Sequence, residues 1–85
     1  MNDISQLRKE IDRIDKELVE LLNARCRTSI AIGEYKKANG LPVYDKARED
    51  ALLKNLAEIN SGPLPQSALS GIYAVLLEAS RNLQK

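Results

Sequence analysis

A chain of 85 residues with a single cysteine, Cys26, and no histidine is sized for one domain and lacks the means for a disulfide framework, a structural zinc site or a histidine-based triad. Thirteen basic and twelve acidic residues leave a formal charge of +1, which gives no field to draw it to nucleic acid or a membrane, and three tyrosines as the sole aromatics argue against stacking on bases. The opening MNDISQLRKE lacks the apolar core of a signal peptide, and no run has the length of a membrane span. Together with a lone thiol, this leads us to expect one cytoplasmic domain over residues 1–85.

The first element is a long helix from about Ser5 to Ala38. Leu7, Ile11, Ile14, Leu18 and Leu21 form an apolar seam of the kind that meets another helix. The same spacing continues through Arg25, Thr28, Ile32 and Tyr35, so the seam turns polar in its middle. Gly33 is its one weak residue, Asp3 or Ser5 can cap its start, and Asn39-Gly40 followed by Pro42 supplies its stop. A second helix opens at Asp45 and runs to about Ile59 behind Leu52, Leu53, Leu56 and Ile59. Asn60 to Pro65 is a turn rich in Gly and Pro. The third helix starts near Pro65 or Gln66 and carries Leu69, Tyr73, Leu76, Ser80 and Leu83 on one face. The fold class is therefore all-α, with three helices per chain. A first helix of roughly 34 residues is about 50 Å long, more than the two shorter helices can cover. We expect a homodimer; the alternative is a monomer with the first helix kinked near Gly33.

Polar residues on these apolar faces are the candidates for chemistry. Arg25 and Lys36 return to nearly the same face of the helix, displaced about 16 Å along its axis, and two such side chains can close on a small anion. A structural network with Asp45 or Glu49 fits the same two residues equally well. Arg8 lies roughly 25 Å before Arg25 and joins it only from another, antiparallel chain; alone it reads as a surface arginine. Asp45 as a cap puts Arg48 and Glu49 in the first turn, where the helix dipole suits Glu and disfavours Arg. Ser80 and Gln84, one turn apart, place neutral hydrogen-bonding groups on an inward face; a tolerated small residue and a fraying end are the plain alternatives.

The segments LRKEIDRIDKELVELLNAR, IGEYKK, PVYDKARE and EASRNLQ, covering nearly the whole chain, resemble the all-helical class of chorismate mutases. Arg8, Arg25, Lys36, Asp45, Arg48, Glu49, Ser80 and Gln84 follow the family's order. The resemblance implies a monofunctional enzyme, an intertwined homodimer with two equivalent sites, and rearrangement of chorismate to prephenate in phenylalanine and tyrosine biosynthesis, with no cofactor or metal. It implies that Arg8 of the partner and Arg25 hold the substrate carboxylates, with Ser80 assisting. Lys36 would bind a carboxylate and the ether oxygen together, Gln84 would donate to the same ether oxygen, Glu49 and the Asp45 backbone would take the ring hydroxyl, and Arg48 would support them. The rivals are an isochorismate–pyruvate lyase on the same scaffold and a non-catalytic helical interaction or regulatory module. Asp45, Glu49 and Ser80 favour the mutase over the lyase, and Arg25 and Ser80 in the seams disfavour a plain coiled-coil module.

Overall fold

The computed structural model describes residues 3–85; Met1 and Asn2, the start of the expected 1–85 domain, lie outside them. It contains three helices, α1 (Ile4–Ala38), α2 (Lys46–Ile59) and α3 (Gln66–Gln84), within about a residue of the bounds expected from the sequence. Asp3, not Ser5, caps α1, its carboxylate accepting from the Gln6 amide at 2.9 Å. The helix continues unbroken through Gly33.

At its far end α1 closes in a Schellman turn. Leu41 N donates to the Lys36 carbonyl at 2.8 Å and Gly40 N to that of Lys37 at 3.4 Å, with Gly40 at φ +65°, a conformation that favours glycine. The turn brings residues 41–45 back beside the last turns of α1. Asp45 then starts α2, its carboxylate accepting from the Arg48 amide at 3.0 Å. Asn60 organises the next turn, donating to the Leu64 carbonyl and to Gln66 while accepting from the Gly62 amide.

Helix α3 packs against both α1 and α2. It runs in the same direction as α1, since Arg25 meets Ser80 and Lys36 meets Gln84, and against α2, since Glu49 meets Arg81. The apolar core is small: Leu56 and Leu77 are its buried members among the described residues, beside buried Ser29, Gly33 and Ser80. The first half of α1 projects beyond this core. Its seam of Leu7, Ile11, Ile14, Leu18 and Leu21 is 44–68 % exposed. The chain measures 57 × 23 × 16 Å with a radius of gyration of 16.3 Å. A closed domain of this length would have a radius of about 12 Å. No helix among the described residues is long and apolar enough to cross a membrane.

Candidate active site

A cavity of 370 Å³ opens between the second half of α1, the start of α2 and the end of α3. Seven of the eight residues singled out in the sequence line it: Arg25, Lys36, Asp45, Arg48, Glu49, Ser80 and Gln84. Arg8 does not; it sits on the projecting half of α1, roughly 25 Å away along the helix.

Each element's contribution follows from its local structure. Arg25 is half-buried; its Nη1 donates to Ser80 Oγ at 3.0 Å and its guanidinium lies 5.7 Å from the centre of the Tyr73 ring. Ser80 in turn shares a hydrogen bond with Ser29, so two buried hydroxyls anchor the arginine where α1 and α3 meet. Three turns along α1, Lys36 Nζ donates to the Val43 carbonyl and to Gln84 Oε1, both at 2.7 Å. Its ammonium thus ties together α1, the returning loop and the end of α3. An ammonium has only protons to give, so the Gln84 atom facing it is the amide oxygen, and the Gln84 NH2 group remains as a donor.

The end of α3, expected from sequence to fray, packs against Gly33. A Cβ at that position would lie 2.6 Å from Gln84 Cα and 2.8 Å from its carbonyl oxygen, far inside contact distance. Only a residue without a side chain lets the α3 backbone come this close, and Gln84 is consequently half-buried although it is next to last in the chain.

The ion pairs among the described residues are Arg13 with Glu10 and Glu17, Lys46 with Asp50, and Arg81 with Glu49. The structural network weighed for Arg25 and Lys36 does not form: neither pairs with Asp45 or Glu49. Asp45 is engaged at the α2 cap, and Glu49 is taken by Arg81, whose Nη1 donates to both carboxylate oxygens at 2.7 and 2.8 Å. The hydrogen bond to Glu49 raises the Arg81 guanidinium above its ordinary range, against the opposing effect of partial burial. Arg81 is the charged lining residue that sequence reasoning missed. Its signal is a contact between residues 32 apart, which periodicity within one helix does not carry. Four cations, Arg25, Lys36, Arg48 and Arg81, thus face two carboxylates, and three of those cations have no carboxylate partner among the described residues. The lining is complementary to a small anion of two charges.

Residues 7–85 match the family described as chorismate mutase type II. The chain belongs to that family. Among its mutase-family relatives, the chorismate mutase of Methanocaldococcus jannaschii is 25% identical over 83 residues, covering 96% of this chain and 84% of that protein. The bifunctional chorismate mutase/prephenate dehydratase of Aquifex aeolicus is 38% identical over 89 residues, covering the whole of this chain. This chain spans only 25% of the length of that bifunctional relative. A solved chorismate mutase from Thermus thermophilus superposes with a TM-score of 0.92 at 37% identity, covering 95% of this chain and 92% of that one. The mutase-family scaffold therefore extends over all three helices and both turns that build the cavity.

Proposed function

We propose that the protein is a chorismate mutase, converting chorismate to prephenate in the aromatic amino acid branch of metabolism, in the cytoplasm. The observation that carries this reading is the cavity with three cations free of carboxylate partners among the described residues, on a mutase-family scaffold, since chorismate brings two carboxylates. The reaction is intramolecular: one ether C–O bond breaks as one C–C bond forms, and nothing is lost or gained. It calls for no nucleophile. A rate gain of roughly a millionfold, about 8 kcal/mol, has to come from holding the substrate compact and from stabilising charge as it develops.

The lining residues divide between these tasks. Arg25, anchored by Ser80, receives one carboxylate, and its planar fork suits that group. As the C–O bond stretches, negative charge grows on the ether oxygen. Lys36 and the free NH2 group of Gln84 meet it as two donors already oriented by each other. Glu49, with the backbone at Asp45, accepts the ring hydroxyl. Arg48 lines the mouth beside them and adds positive charge.

The second carboxylate falls to Arg8 of a partner chain in an intertwined homodimer. Several features support this. The apolar seam around Arg8 is exposed along five positions, and the radius of gyration exceeds that of a closed domain. The accessible surface of 6695 Å² is about 1,600 Å² above what a closed monomer of this mass exposes. An antiparallel partner covers the seam and brings its Arg8 toward the cavity.

Mixing the purified protein with chorismate and with isochorismate in separate reactions tests the activity. Prephenate from chorismate is expected. Salicylate and pyruvate from isochorismate, with chorismate untouched, would assign the scaffold to a lyase instead, and turnover of neither substrate would overturn both readings.

A further inference from the structure

Arg81 takes no direct part in the chemistry above, yet it is the one cavity-lining cation that spends its charge on a protein carboxylate. We propose that Arg81 is a positioning residue that fixes Glu49 as the acceptor of the substrate's ring hydroxyl, and so sets selectivity for hydroxylated over hydroxyl-free substrates. The inference rests on the chorismate mutase reading of the site.

The geometry is specific. Arg81 comes from the last turn of α3 and Glu49 from the first turn of α2, and one guanidinium nitrogen sits between both carboxylate oxygens at 2.7 and 2.8 Å. The guanidinium also lies 5.6 Å from the centre of the Tyr44 ring, which belongs to the loop joining α1 to α2. Two elements therefore hold the arginine while it holds a third. A carboxylate beside a site for a dianion creates two difficulties. It repels the ligand, and it competes for the cations the ligand needs. Arg81 removes both by neutralising Glu49 locally, leaving Arg25, Lys36 and Arg48 free of it.

It also leaves Glu49 able to act. An ionised carboxylate offers about four lone-pair sites. Arg81 occupies one on each oxygen, so one on each remains for a hydroxyl proton. With its side chain only 19 % exposed, Glu49 has little water to compete for that site. A hydrogen bond to a charged, preoriented acceptor discriminates strongly against a substrate lacking the donor.

The test compares kcat/KM on chorismate and on an analogue that keeps the ether and both carboxylates but lacks the ring hydroxyl. Wild type, Glu49→Gln, Arg81→Gln, the Glu49→Gln/Arg81→Gln double variant and Arg81→Lys are measured. The ratio of the two kcat/KM values is expected to fall roughly tenfold or more in Arg81→Gln. Glu49→Gln should lower it similarly, the double variant little further, and Arg81→Lys should recover part of it. An Arg81→Gln protein that loses equally on both substrates, or on neither, overturns the inference, and Arg81→Lys serves the same comparison if Arg81→Gln does not fold. A wild type active on chorismate whose ratio is unmoved by Glu49→Gln shows instead that the hydroxyl is held elsewhere, which removes the basis of the inference while leaving the mutase activity standing.

Discussion

Lys36 does three things with one ammonium: it closes the α1–α2 loop through Val43, orients Gln84, and faces the cavity. Truncating it at the β-carbon removes the donor proposed for the breaking ether bond and frees the Gln84 amide to turn. Loss of one such donor costs roughly 10²–10³ in kcat, and loss of its partner's orientation adds to that. Lys36→Ala is therefore expected to lower kcat at least a thousandfold, with the oligomeric state and helical circular dichroism retained. Retention of a tenth of the activity would remove Lys36 from the chemistry. The shared face of Arg25 and Lys36 is legible from their spacing alone, because helix geometry is periodic. The long-range hydrogen bonds of the site are not. Ser80 reads only as a polar break in a seam, and Arg81 as an ordinary basic residue, since hydrogen bonds spanning 55 and 32 positions leave no local pattern.

At the scale of the elements, the three helices and their stops are readable because each terminus carries its own chemistry. Asp3 and Asp45 cap with their carboxylates, and Gly40 adopts positive φ at the turn. Gly33 is not readable in this way. By propensity it is a weak helix residue or a hinge; in the fold it is the gap that admits the end of α3. The two views make opposite demands on Gly33→Ala. Propensity alone favours alanine by about 1 kcal/mol. Packing puts the new methyl 2.6 Å from the Gln84 backbone, which has no flexible tip to move aside, so the last turn of α3 has to shift. The expected outcome is a fall in kcat of tenfold or more, larger than the change in thermal stability accounts for, because the displaced residue is the one proposed to donate to the ether oxygen. Unchanged kcat in a folded Gly33→Ala protein would mean that Gln84 does not need this placement.

The whole molecule poses the question that a single chain leaves open: what faces the first half of α1. The seam from Leu7 to Leu21 shares one period with the part of the helix that builds the cavity, so the sequence shows a continuous stripe, while the fold buries Ser29 and Gly33 beside its second half and leaves Leu7 to Leu21 exposed. Arg8 lies beside the uncovered stripe, too far from Arg25 of the same chain for one small ligand to bridge them. If sites are built between chains, Arg8→Ala and Arg25→Ala damage the same site from different subunits. Each variant alone is expected to be nearly inactive. When the two are mixed at equal concentration and allowed to exchange, about half the dimers are heterodimers by chance. In each heterodimer one site has lost both arginines and the other has kept both. Turnover is then expected to return to about a quarter of wild type, with size-exclusion chromatography and light scattering reporting dimers throughout. Leu18→Glu, which puts a charge in the middle of the seam, should abolish both the dimer and the recovery. No recovery on mixing, with exchange verified by labelled subunits, would show that Arg8 acts within its own chain or not at all. The exposed seam would then be an interface separate from the chemistry.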